Sequence, residues 1–129
     1  MAMSDKASIL VIDDEENLHR TLAMILQRAG YVVMTAANLA EARQCLQTGS
    51  YNLAFLDLKL PDGNGLTLLP ELRSRYPDMP VVILSAHDNL ESATEATRLG
   101  ARDYMLKPAD PSLIIQRVKE ILAEGNQPR

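Results

Sequence analysis

Tryptophan is absent from the 129 residues, phenylalanine occurs once and tyrosine four times. So few rings exclude a stacking platform for nucleobases. Cys45 is the only cysteine, which excludes an intramolecular disulfide, suits a reducing cytoplasm and leaves the thiol as filler on a helix face. No apolar run reaches the roughly 18 residues that a membrane-crossing helix requires. The opening Met1–Lys6 carries no apolar core of the sort a secretory signal needs. Positive charge is also scarce: 13 Lys and Arg stand against 17 Asp and Glu, for a net charge of −4. The basic residues are scattered, which argues against direct contact with nucleic acid. What remains is a chain 47% hydrophobic and of one domain's length, enough to bury a core.

That chain is organised around the stretch from Asn52 to Gly65. Its apolar run Leu53-Ala54-Phe55-Leu56 ends at a lone carboxylate, Asp57, and then breaks at Pro61, Gly63 and Gly65. A short apolar run closed by turn residues reads as a strand covered on both faces, with the break as a loop. Asp57 is thereby lifted to the carboxyl edge of a sheet, where ligands bind in open α/β folds.

The same grammar repeats along the chain. Ser8–Ile12 is a β-branched run that stops at Asp13-Asp14-Glu15-Glu16, and these acids open a helical pattern with Leu18, Leu22, Ile25, Leu26 and Ala29 on one face. Gly30 closes it in the C′ position. Tyr31–Thr35 is a second strand, and Asn38 caps a helix carrying Leu39, Ala42 and Leu46. After the central strand, Leu66, Leu69 and Leu72 are spaced for a helix from Gly65 to Tyr76, and Val81–Leu84 is a strand ending at Ser85-Ala86. A helix from about Asp88 to Leu99 is mostly Ala, Thr and Glu, so it should be the most weakly anchored of the set. Ala101–Leu106 is a strand ending at Lys107-Pro108. Asp110-Pro111 then supplies an N-cap and an N1 proline for a last helix with Leu113, Ile114, Val118, Ile121 and Leu122 inward. Residues 1–7 read as a disordered lead, 8–123 as the domain, and 124–129 as a tail or the start of a linker.

Five strands alternating with five helices predict a three-layer, doubly wound α/β fold, a parallel sheet of flavodoxin-like order 2-1-3-4-5. In that order the first and third strands are neighbours, so Asp13, Asp14 and Asp57 converge, with Ser85 and Lys107 arriving at the same edge. Carboxylates this close call for a cation. Oxygen donors without His or Cys point to a hard ion, and an open site that keeps its waters favours Mg²⁺. A lysine ammonium and a serine hydroxyl beside them suit a phosphoryl group. The set reads as a site for phosphoryl transfer to Asp57, with Lys107 stabilising charge.

These residues resemble the receiver domains of two-component response regulators, from about Ser8 to Leu122. Asp13-Asp14 looks like the family's acidic pair, Asp57 like its phosphoacceptor, Ser85-Ala86 like its Thr/Ser-Ala pair, and Lys107-Pro108 like its Lys-Pro, whose peptide bond is usually cis. The resemblance implies Mg²⁺ held by Asp14, Asp57 and the Lys59 backbone carbonyl, with Asp13 acting through water. It implies a sensor histidine kinase as phosphodonor, Lys59 and His87 as positions that tune dephosphorylation, and Tyr104 as a switch aromatic. Readout would pass through the face made by the fourth helix, fifth strand and last helix to an output domain or partner protein, and phosphorylation-dependent homodimerisation is left open. Leu60–Gly65 and Leu99–Tyr104 look like receivers tied to transcriptional outputs. The polar tail suits an excised or linker-truncated receiver. Ala109 departs from the pattern, since many members carry an aromatic residue there, and Ser85 replaces the commoner Thr.

On this reading the chain is a regulatory phosphoacceptor, with self-phosphorylation and slow autodephosphorylation as its only chemistry. A flavodoxin-type carrier would need a phosphate-cradling loop where Asp13–Glu16 stands. An aspartyl-phosphate hydrolase would need a substrate domain. A receiver-like interaction module that works without phosphorylation is the remaining alternative.

Overall fold

The computed structural model describes residues 6–86 and 90–125. Along them run β1 (Ser8–Ile12), α1 (Glu16–Arg28), β2 (Val32–Ala36), α2 (Leu39–Thr48) and β3 (Leu53–Leu56). A small ladder of β4 (Lys59–Leu60) and β5 (Gly63–Asn64) follows, then a 3-10 turn (Gly65–Leu68) and α3 (Leu69–Arg75). The chain continues through β6 (Val81–Ser85), α4 (Leu90–Arg98), β7 (Asp103–Leu106) and α5 (Pro111–Gly125).

β2-β1-β3-β6-β7 form one parallel sheet, while β4 and β5 pair antiparallel outside it. With that ladder set aside, the order is the expected 2-1-3-4-5. Every residue of β3 and β6 is buried, whereas β2, at the sheet's rim, exposes Val32 and Met34. This is the pattern of a parallel sheet covered on both faces in its middle. Strand alternation sends Leu10, Ile12, Ala54, Leu56 and Ile83 towards α2, α3 and α4, and sends Ile9, Val11, Phe55, Val82 and Leu84 towards α1 and α5. Three layers result.

Helix ends follow local chemistry. Gly30, at φ +100°, lets Tyr31 N–H return to Leu26 O at 3.0 Å, a Schellman closure of α1. At the end of α4, Ala101 N–H closes on Ala96 O at 2.9 Å. That bond explains why β7 starts at Asp103 and not, as the sequence suggested, at Ala101. The expected helix from Gly65 likewise starts as a 3-10 turn. Gly65 N–H is tied back to Leu58 O at 2.8 Å, and Asn64 Oδ1 accepts from Leu66 N–H at 2.9 Å, so the first turn is drawn tight against the sheet. The loop after Asp57 is packed as well as turned: Leu58 and Leu60 are buried in the core, and β4 pairs with β5 within it.

α4 buries a single residue, Ala96, and leaves Leu90 83% exposed. This agrees with the weak anchoring expected from its composition. α5 is held more firmly: Ile114, Val118 and Ile121 are buried as expected, though Leu113, expected inward, is exposed, and Arg117 pairs with Asp103 of β7 at 2.7 Å. Asp110 Oδ1 accepts from Ser112 N–H at 2.8 Å ahead of Pro111, as the cap pattern required.

The start of α2 carries the Asn38 cap expected from the sequence and a second cap that the sequence did not reveal. Asn38 Oδ1 accepts from Glu41 N–H at 2.8 Å, and Asp62, from the distant loop, accepts from Leu39 N–H at 2.8 Å and Ala40 N–H at 3.0 Å. The bond from Leu39 is foremost in holding the Asp62 carboxyl below its ordinary range. A carboxyl lowered by folding stabilises the fold above its unfolded value and loses that contribution on acidification. Asp62→Asn is therefore expected to unfold at a lower temperature than the parent at neutral pH, with the gap closing below about pH 4. Thermal melts across this range check it, and parallel curves for the two proteins would refute it.

Candidate functional site

The parallel ladder continues one residue beyond the strands and so fixes the site's backbone. Asp13 N–H donates to Ala36 O at 2.9 Å, Asp57 N–H to Ile12 O at 2.9 Å, and Lys107 N–H to Ser85 O at 2.8 Å. Ile12 faces Leu56 and Ser85 faces Leu106 across neighbouring strands, so Asp13, Asp57, Ser85 and Lys107 are delivered to one edge by register alone. Carboxylate oxygens of Asp13, Asp14 and Asp57 lie within 4.8 Å of one another.

Asp13 and Asp57 are buried, at 2% and 6% exposure, and Ser85 is fully buried. Asp14 is exposed at the rim. The Lys107 ammonium stands among the acids, 2.5 Å from Asp13 Oδ2, 3.0 Å from Glu15 Oε1 and 3.3 Å from Asp57 Oδ2. Burial pulls the Lys107 ammonium down, but hydrogen bonds to Asp13 and Glu15 and the charges of Asp13 and Asp57 outweigh it, and the net shift is upward. Lys107 is a permanent cation here. Burial, followed by the charge of Asp13, raises the Asp57 carboxyl, while Lys107 and the Lys59 N–H oppose the rise. Asp57 is thus a carboxylate kept short of compensating charge.

Asp13 is engaged through both of its oxygens. Its Oδ1 accepts from Glu15 N–H at 2.8 Å, fixing the turn into α1. Its buried Oδ2 meets the Lys107 ammonium, which Glu15 and Asp57 share. With one lysine set against Asp13, Asp57 and the exposed Asp14, the all-oxygen set fits a hard cation bound at the rim.

The loop below is shaped to this end. A Cβ built on Gly65 would come 2.1 Å from the Asp57 carbonyl oxygen, so glycine alone permits the chain to pass beneath the acid. Lys59 sends its side chain to solvent and aims its N–H at Asp57 Oδ1 over a long 3.5 Å. The Lys107–Pro108 peptide bond is cis. Tyr104 faces Ile83 across the ladder and packs, half-buried, against the core on the α4 side. His87 lies outside the described residues. Sequence reasoning missed Glu15, whose contact with Lys107 spans 92 residues and leaves no local pattern.

Known proteins place this architecture. The family model for the response regulator receiver domain matches residues 9–119. The alginate biosynthesis transcriptional regulatory protein AlgB of Pseudomonas putida is 41% identical over 110 residues, which are 85% of this chain and 25% of that protein. The photosynthetic apparatus regulatory protein RegA of Cereibacter sphaeroides is 36% identical over 118 residues, 92% of this chain and 62% of that one. The chain thus spans between a quarter and two thirds of these relatives. A crystal structure of a two-component response regulator from Clostridium difficile superposes with a TM-score of 0.92 at 30% identity, covering 95% of this chain and 100% of that one.

The raised Asp57 carboxyl carries a stability consequence with a definite sign. A carboxyl raised by folding favours the fold while protonated, and that contribution is lost as pH rises through its titration. In metal-free buffer at neutral pH, Asp57→Asn is therefore expected to be more stable than the parent. Denaturant unfolding at pH 7 measures it; a less stable variant would mean that Lys107's attraction outweighs burial.

Proposed function

This chain belongs to the response regulator receiver domain family, and from that premise we propose that it is a phosphorylation-activated switch in two-component signalling. Asp57 is the phosphoacceptor and a sensor histidine kinase the donor. The observation that carries the reading is the shared edge: a buried, undercompensated Asp57 within reach of Lys107, Asp13 and Asp14. In the transfer, an Asp57 oxygen forms the new bond to phosphorus. The P–N bond of the donor phosphohistidine breaks, and its electron pair leaves with the imidazole nitrogen. Lys107 supplies positive charge to the transferring oxygens, and Ser85 offers its hydroxyl to one of them.

Asp14, Asp57 and the Lys59 carbonyl would hold Mg²⁺, with Asp13 acting through water; bound there, the ion would offset charge on the phosphoryl group. Lys59 and His87 flank the reaction as rate-tuning positions.

Regulation, not turnover, is the product. Added phosphoryl charge draws Ser85 and Lys107 inward and biases a two-state equilibrium that involves Tyr104 and α4. The face made by α4, β7 and α5 is the readout surface, to which each element contributes an exposed leucine, Leu90, Leu106 and Leu113. Through it the domain acts on an output domain or partner protein in transcriptional control, as the relatives' names suggest for this chain.

Intact-mass measurement after incubation with acetyl phosphate tests the assignment. The parent is expected to gain one phosphoryl group only when Mg²⁺ is present, and Asp57→Asn to gain none. Folded parent protein that stays unlabelled would make the chain a phosphorylation-independent interaction module.

A further inference from the structure

We infer that Glu15 is a positioning residue that tethers Lys107 in the resting state and must release it for phosphorylation. The inference rests on the reading of Asp57 as phosphoacceptor.

Glu15 occupies the N-cap of α1, where a side chain normally accepts from the helix's first N–H groups, yet it makes no such bond. Its carboxylate reaches the Lys107 ammonium instead, at 3.0 Å. The backbone that presents it is held from two sides: its N–H donates to Asp13 Oδ1 at 2.8 Å, and its carbonyl accepts from His19 N–H at 3.1 Å. This contact is a built one, from a fixed position.

An ammonium has three N–H donors, and three carboxylates surround this one. Its longest contact, 3.3 Å, is to Asp57, the partner with which it has to act. A phosphoryl group on Asp57 adds acceptor oxygens beside an ammonium whose neighbours are already filled, so one bond must yield. Asp13 is a poor leaving partner, because its side chain is 2% exposed and would be left a bare buried charge. Glu15's side chain is 59% exposed, and water can take over its oxygens. The tether that opens is therefore Glu15.

Removing the tether should ease the capture of Lys107 by the transferring group. With acetyl phosphate as donor and saturating Mg²⁺, where the donor's P–O bond breaks and acetate leaves, Glu15→Gln is expected to label about three- to fivefold faster than the parent, the scale of a part-exposed ion pair. Glu15→Asp, with its shorter reach, should also label faster although its charge is kept. The deciding step is the double-mutant cycle: in a Lys107→Gln background, Glu15→Gln should change the rate by less than twofold. An unchanged rate in Glu15→Gln overturns the inference. So does an acceleration that persists without Lys107, which would mean simple relief of repulsion towards the incoming phosphate. A parent protein that takes no label at all overturns the phosphoacceptor reading itself, a separate result.

Discussion

One ammonium set among buried carboxylates is the constraint on which the rest of this structure depends. Asp13 and Asp57 are both brought out of water at the ends of neighbouring strands, and Lys107 is the cation that makes their burial tolerable. The compensation is incomplete. Asp57 still titrates above its ordinary range, and a single ammonium is shared among Asp13, Glu15 and Asp57. A site left short of positive charge is suited to a further cation. The fold tolerates that tension because the acids sit on backbone that cannot relax away, each N–H being locked into the sheet's own hydrogen bonds.

The rigidity of that edge contrasts with what surrounds it. β3 and β6 are buried throughout, and α5 is fixed by three buried side chains and by Arg117's bridge to β7. α4 has only Ala96 in the core. A charge change at the site therefore meets unequal resistance: the sheet cannot shift at low cost, and α4 can. Packing density, more than proximity, selects where a local electrostatic event is expressed.

Most of the architecture was legible because it rests on short-range rules. Apolar runs of strand length, helices at 3.6-residue spacing, and glycine or proline stops gave the element order, and parallel topology then placed Asp13, Asp57, Ser85 and Lys107 together. Two features could not be read in this way. Asp62 caps α2 from a loop more than twenty residues away, and Glu15 reaches Lys107 across most of the chain. Both depend on where a loop or a rotamer ends in space, which periodicity does not encode. The boundary errors had a common origin as well. β7 started late and the helix after Gly65 started tight because specific backbone hydrogen bonds, Ala101 to Ala96 and Gly65 to Leu58, overrode the apolar pattern.

The anchoring of α4 by a single alanine has a consequence for how such a chain can diverge. A helix that buries several large residues is constrained on one face by the core, and substitutions there are filtered by stability before they are filtered by function. Here the core fully encloses only Ala96, with Ser92, Ala93 and Glu95 half-buried, so the outward face of α4 is under little packing constraint. Copies of this domain can vary that face on the same scaffold while the residues gathered at the sheet edge stay as they are.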